Sequence, residues 1–477
     1  MANPIKQIFA KRSERSAANL FEFEGAVPVS KSILFSLQHL LALFVSNIAP
    51  IIVLVAAVQG SNPDLDAKIL ENGVRVATLL AGIGTLLQMF PLWKFGGRLP
   101  VFMGASFTFL GVLELIVSTY SWQTAFLSVI IGGVFLAIVG LFAKYWVKFI
   151  KPIVSAVVVL ALGLSLLPVA IQQFVGISDI PSLAVAYDWS IGWKYILIAF
   201  VSLLSSLVFQ IFVKGLWKHM SIVVGLIIGY IVSLCIPGLV DFSSLSFSKL
   251  TDFIDVPRPI FTFLSFSSGD FNLGAIIAVC ILFLVSSTET IGAVSVVASG
   301  SFGREAKPEE LAGGISCVGL VGALAGLFGG VPVTSYLQNS AIVNQTEVKN
   351  RNALLFMPLA LILFSFFPLF SSLLLTIPSA VFGGLMVNLF GGIVYSGMKM
   401  IFECEHNVKN TTVVALSLGI GFGLTFVPSV TEPQFSNDIL NSLMLILQAP
   451  VVSMFLVSMI LSYAIPKRID EPKNEEK

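Results

Sequence analysis

The chain is a succession of apolar runs, most of them close to 20 residues long, separated by short polar connections. A helix of about 20 apolar residues crosses the hydrocarbon of a bilayer, where no water is present to satisfy peptide groups left outside a helix. The runs predict spans near 32–56, 74–93, 99–119, 123–143, 152–171, 191–213, 219–240, 272–298, 311–328, 331–347, 352–371, 378–398, 411–428 and 443–465. Basic residues set the sense of insertion, because they collect on the cytoplasmic side. With the N-terminus inside, most of the 27 Lys and Arg fall in cytoplasmic segments, among them Lys6, Arg12, Lys94, Lys144, Lys214, Arg304, Lys349, Lys399 and Lys467. Lys68, Arg75, Lys194, Lys249 and Arg258 do not. The outer segments carry acids instead: Asp64, Asp66, Glu71, Asp179, Asp188, Asp241, Asp252 and Asp255. An even number of spans with both termini cytoplasmic follows, in a plasma or bacterial cytoplasmic membrane.

Two segments break the pattern. The third span begins Leu99-Pro100-Val101-Phe102-Met103-Gly104-Ala105-Ser106-Phe107, and the tenth runs Val331-Pro332-Val333-Thr334-Ser335-Tyr336-Leu337-Gln338-Asn339. Each opens with Pro-Val and then holds small and hydroxylated residues where a lipid-facing helix would hold Leu and Ile. Third and tenth are equivalent places in two halves of seven spans. Spans five and twelve also echo each other, Lys151-Pro152-Ile153-Val154-Ser155 against Ile377-Pro378-Ser379-Ala380-Val381. Paired, interrupted hydrophobic segments point to an inverted-repeat transporter with its site near the midplane. Pro and Gly are also common in membrane helices generally.

Composition removes the soluble alternatives. Hydrophobic residues make up 56% of the 477 and charged ones 11%, against roughly 25% charged in soluble domains; mean hydropathy is +0.95. A net charge of +1 gives no reason to expect a nucleic-acid partner. Cys235, Cys280, Cys317 and Cys404 are scattered, so neither a disulfide framework nor a metal site is indicated. The first 30 residues are polar and charged, which predicts no cleavable signal peptide.

An ionisable residue inside a span is a functional candidate, since placing it there costs roughly 2.5–3.5 kcal/mol on insertion scales. Glu289 lies well inside the eighth span, among Ser286, Ser287, Thr288 and Thr290, and His39 lies in the cytoplasmic half of the first. Glu114 and Glu347 read as carboxylates near span ends that reach water. Gln338 and Asn339 offer adjacent donors and acceptors, which suits a planar, polar, uncharged ring; they could equally satisfy the backbone of a broken helix. A membrane enzyme would need catalytic groups clustered at one face, and His39, His219 and His406 are dispersed. No catalytic or metal set is expected.

At these residues the chain resembles the nucleobase–ascorbate transporter family of nucleobase:cation symporters, over nearly its whole length. The resemblance is carried by Gln38-His39-Leu40-Leu41-Ala42, Gly104-Ala105-Ser106-Phe107, Gly163-Leu164-Ser165-Leu166, and Glu289 followed by Ile291-Gly292. It continues through Ala325-Gly326-Leu327-Phe328-Gly329-Gly330 into Gln338-Asn339-Ser340-Ala341-Ile342-Val343-Asn344-Gln345-Thr346. Ile377-Pro378-Ser379-Ala380-Val381-Phe382-Gly383-Gly384 and Ala415-Leu416-Ser417-Leu418-Gly419 also fit.

The resemblance implies an all-α polytopic membrane protein of 14 transmembrane helices, arranged as two inverted seven-helix repeats with short broken segments in spans 3 and 10. It divides the chain into a cytoplasmic N-terminal segment (1–31), core domain (32–150 and 272–371), gate domain (151–240 and 378–465) and cytoplasmic tail (466–477). A homodimer through the gate domain is compatible with it. Carried over by position, Glu289 and Gln338 hold the edge of a nucleobase, Asn339 supports them, Phe107 contributes backbone and ring contact, and Ser46 approaches from span one. His39 supports the site and the proton coupling, for which sodium is the alternative ion; no other cofactor is implied. The expected activity is import of a nucleobase, a purine such as xanthine or urate, by proton symport with alternating access. A uracil or other nucleobase carrier and an anion transporter of the same fold are the alternatives. The chain departs from the family pattern at Ala341, Glu347, Ala293, Val318 and in the placement of Pro50, which leaves Glu289 as the deep carboxylate on which coupling would rest.

Overall fold

The computed structural model describes residues 16–58, 63–177, 187–214, 220–240, 254–368, 376–427 and 449–466, with single positions 179, 183, 242, 373 and 447. His219, Asp241, Lys249, Asp252 and the charged residues of 1–15 and 467–477 lie outside the described residues. The fold is helical, with α1 at Val29–Val58 and α2 at Pro63–Met89. A three-residue strand β1, Met103–Ala105, leads through a tight turn at Phe107–Phe109 into α3, Leu110–Thr119. Then come α4 (Trp122–Leu141), α5 (Pro152–Phe174), α6 (Trp189–Phe212), α7 (Ser221–Leu234), α8 (Leu273–Phe302) and α9 (Pro308–Phe328). Strand β2, Val333–Ser335, opens into α10, Leu337–Thr346. The chain continues with α11 (Phe356–Ser365), α12 (Ser379–Phe402), α13 (Val408–Leu416) and α14 (Pro450–Ala464).

Among the described residues, eight helices are long and apolar enough to cross a membrane: α1, α2, α4, α5, α6, α8, α9 and α12. The remaining apolar helices are shorter. Helix α2 starts at Pro63 rather than near 74, because its first turns carry Asp64, Asp66, Lys68 and Glu71, and a hydropathy reading cannot see a helix that continues through polar turns. Local chemistry fixes several starts. Asn272 caps α8 by accepting from Ala275 N–H at 2.9 Å, Ser121 caps α4 through Thr124 N–H at 3.1 Å, and Asp188 caps α6 through Ser190 N–H at 2.9 Å.

Two sets of helices pack mainly within themselves. In one, α4 lies against α9 and α8, and α2 against α11, α9 and α1. In the other, α5 lies against α12 and α14, and α6 against α7 and α12. The α4–α9 contact is backbone to backbone: a Cβ added at Gly319 would stand 2.1 Å from Ala137 N. Close approach over small residues is how helices associate where lipid removes the hydrophobic drive. The two sets touch where α5 and α14 meet α8 and where α7 meets α1.

Polar ties hold the ends of the first set. Arg75, 4% exposed, pairs with Asp255 Oδ2 at 2.8 Å, and its Nε donates to Ser365 O at 3.2 Å. Asn72 Nδ2 donates to Phe328 O at 2.6 Å and to Arg258 O at 3.1 Å. Residues 254–258 are thereby pinned across α2, α9 and α11. At the far end of α2, Arg351 donates to Met89 O and to Glu24, both at 2.8 Å, and stacks over Phe23 at 4.2 Å. The segment before α1 is fastened there.

In the second set, Asp179 Oδ2 accepts from the Ser379 N–H that starts α12, at 3.1 Å. Burial pushes its carboxyl up from 3.8 to about 6, against the lowering pull of the Ser379 hydrogen bonds. The folded protein then holds a proton that the unfolded chain releases, so stability falls as pH rises from about 4 to about 6 and is level above. Asp179→Asn keeps an acceptor and removes the charge. Because Asp179 is nonetheless exposed at the surface, solvent screens most of this effect; the variant should raise the unfolding temperature only slightly above about pH 7 and leave it unchanged below about pH 4. Thermal unfolding of the purified protein across that range is the check; equal shifts at both ends would count against it.

Candidate functional site

The two interrupted segments meet. Strands β1 and β2 pair antiparallel, with Met103 opposite Ser335, Gly104 opposite Thr334 and Ala105 opposite Val333. Bonds from Ser106 N–H to Pro332 O and from Tyr336 N–H to Phe102 O, both 2.8 Å, extend the ladder at each end. A two-stranded ribbon is marginal by itself, and the neighbouring helices complete it. Ala105 N–H donates to Asn47 Oδ1 of α1 at 2.9 Å, and Met103 N–H donates to Thr85 Oγ1 of α2 at 3.0 Å. Gly104 leaves room for the Tyr336 ring, whose Cζ would lie 2.7 Å from an added Cβ. The Tyr336 hydroxyl sits 2.6 Å from Ala105 O and 2.9 Å from Ser46 O. Each strand runs directly into a short helix, whose first turn presents backbone N–H groups without helical partners and the positive end of the helix dipole.

Helix α8 carries Glu289 past this ribbon. The side chain is 6% exposed; its Oε1 accepts from the Thr108 hydroxyl, at the start of the short helix after β1. Thr334 of β2 lies beside the same carboxylate. One acid therefore binds the first broken segment and stands near the second. On α10, half-buried Gln338 reaches Ser46 of α1, Nε2 to Oγ at 3.4 Å. Asn339 is fully buried and turns toward α1: its Nδ2 donates to His39 O at 3.1 Å and lies 3.3 Å from His39 Nδ1. His39 is stacked on Phe102, ring centroids 4.1 Å apart and 11° from parallel. Phe107 meets Phe390 of α12 edge to face at 4.9 Å, so an aromatic pair joins the two helix sets at the ribbon.

The structure thus groups Glu289 with the Phe107–Thr108 turn, Gln338 with Ser46, and Asn339 with His39. Thr108, Asn47, Thr85, Tyr336 and Phe390 are additions that sequence reasoning did not single out. Thr108 and Asn47 adjoin Phe107 and Ser46 in the chain, so a polar neighbour beside each candidate was the available signal. Phe390 had none, since its part comes from helix packing. Chemically, a carboxylate accepts from N–H donors, a primary amide accepts and donates side by side, and an aromatic ring stacks on a flat face.

A model described as Permease family matches residues 30–430. The chain belongs to this family. Members are membrane transporters, and the chain is accordingly a multi-pass membrane permease and not an enzyme. It is 29% identical to Xanthine permease XanQ of Escherichia coli strain K12, covering 94% of each chain. It is 28% identical to the Putative purine permease CPE0397 of Clostridium perfringens, covering 86% of each. With the Nucleobase transporter PlUacP of Paenibacillus larvae the identity is 30%, over 84% of this chain and 88% of the relative. Among solved structures, the transmembrane domain of the cyanobacterial bicarbonate transporter BicA superposes with a TM-score of 0.58 at 16% identity, over 91% of this permease and 96% of that domain. Murine Slc26a9, an anion transporter in the inward-facing state, superposes at 0.54 and 12%, over 91% and 75%. The permease shares their fold; at such identity the likeness carries no substrate.

Proposed function

We propose that this permease is a secondary active transporter that imports a nucleobase, an oxidised purine such as xanthine or urate, by proton symport with alternating access. The observation that carries the reading is the placement of Glu289 at the broken segments, with the Gln338–Ser46 pair joining α10 to α1 beside the ribbon. A ring N–H would donate to Glu289, while Gln338 would answer a carbonyl and an adjacent N–H. Asn339 and His39 brace α10 against α1 and position Gln338. Phe107 supplies an aromatic face. Relatives named as xanthine, uric acid and purine permeases support the substrate class.

The same reading takes the fold as 14 helices in two inverted repeats with both termini cytoplasmic. The first helix set and the ribbon form the core, the second set is the gate, and a second copy joins through the gate. The separate packing of the two sets supports this division. Transport then moves core against gate, carrying the ribbon between the two membrane faces. Residues 99–119 and 331–347 contain no Lys or Arg, which disfavours an anion as substrate.

Uptake of labelled xanthine, urate, uracil and hypoxanthine into transport-deficient cells tests the proposal. Xanthine or urate should accumulate, lose accumulation on addition of a protonophore, and be indifferent to replacement of sodium. Preference for uracil would overturn the purine assignment, and sodium dependence the proton.

A further inference from the structure

Helix α3 leads away from the ribbon with one polar stripe. Gly111, Glu114 and Ser118 recur at spacings of three and four, which places them on one face of α3. At 1.5 Å per residue, Glu114 lies about 10 Å further along than Phe107. Gly111, Glu114, Leu115 and Ser118 line an open cleft of about 250 Å³ bordered on its other side by Ala449 and Pro450, at the start of α14. That equals about eight water volumes, room for a small planar ring and far more than one ion needs. A Cβ at Gly111 would meet nothing within 4 Å. Glu114 is half-buried, and among the described residues its carboxylate has no hydrogen-bond or ion-pair partner. A carboxylate near a span end can face water or a ligand.

We propose that Glu114 forms an outer capture subsite for the transported base, occupied before the base reaches Glu289. The assignment rests on the nucleobase-transport reading above. The chemistry repeats that of the inner site: a carboxylate accepts from ring N–H donors, while Leu115, Ala449 and Pro450 offer apolar walls to the ring faces. Ligand passing down the α3 stripe would meet Phe107 one turn below Gly111. Its edge contact with Phe390 of α12 is the barrier between the two subsites, and core–gate motion would open it.

Two variants test this in proteoliposomes of known orientation. Glu114→Gln removes the acceptor charge, and Gly111→Leu fills the cleft without touching any charge. Both should raise KM for xanthine entering from the outer face at least about tenfold, Glu114→Gln through the loss of one charge-assisted hydrogen bond and Gly111→Leu by filling the cleft. Maximal rate should stay within about twofold, and KM from the inner face should not move, a face dependence that a merely structural role would not produce. Unchanged KM in both variants, or an equal rise from both faces, would overturn the subsite. So would an unchanged KM with an altered dependence on external pH, which would assign the cleft to the coupling proton. Absence of base uptake by the wild type would overturn the transport reading itself, and the subsite with it.

Discussion

Glu289→Gln should abolish concentrative uptake while leaving the amount of protein in the membrane unchanged. Glu289 is buried on α8, and its recorded partner is a hydroxyl that can turn to suit either an acid or an amide. The substitution preserves volume and a hydrogen bond to Thr108, so folding should survive. Two things are lost. The acceptor for ring N–H groups falls from charged to neutral, which should cost about 1.5–3 kcal/mol and weaken binding at least about tenfold. The variant also lacks a group that can take and release a proton where the two broken segments meet, so no gradient can drive accumulation. Labelled xanthine uptake, normalised to membrane protein, is the measurement; wild-type rates in Glu289→Gln would remove Glu289 from the mechanism.

The second large effect is expected in affinity. Gln338 donates one amide hydrogen to Ser46 Oγ and keeps a carbonyl and its other hydrogen for ligand. A carboxylate at this position could only accept, or donate once if protonated. Ser46 could turn to donate to it, but a base that presents a carbonyl beside a ring N–H would then face an acceptor it cannot satisfy. Sites built to pair such groups discriminate by up to about 10⁴-fold. Gln338→Glu should therefore weaken xanthine, urate and uracil alike, since each presents a carbonyl beside a ring N–H, by at least about tenfold. Competition assays on wild type and variant read the inhibition constants directly. Unchanged constants mean that Gln338 does not read the substrate.

Hydropathy located most helices, because a membrane span is dictated by length and apolarity more than by detail. It misplaced the start of α2 at Pro63, where charged turns continue a helix beyond the apolar run. The irregularity of 99–107 and 331–339 was legible from Pro-Val followed by small and hydroxylated residues. Their pairing was not: strands of three residues are too short to show a period of two, and the register depends on Asn47 and Thr85 reaching in from other helices. Glu289 stood out because an acid within a span demands a reason. Which hydroxyl answers it was hidden, since four neighbours on its own helix carry hydroxyls and the recorded donor is Thr108 from a distant segment. Asn339 shows the same limit. An amide beside Gln338 looks like ligand chemistry in one dimension, whereas in three its position one residue along the helix turns it onto His39.

The ribbon also has a history within each molecule. Ala105 leaves the ribosome about 230 residues before its partner Val333, and at roughly 5–20 residues per second that is an interval of about 10–50 s. Throughout it, the edge of β1 that pairs with β2 in the finished protein has no partner strand, and an unpaired peptide group away from water costs several kcal/mol. The first half of the permease is therefore inserted before it can be completed. Nascent chains stalled between α4 and β2 should be the ones most readily degraded, because the strand that completes β1 has yet to be made.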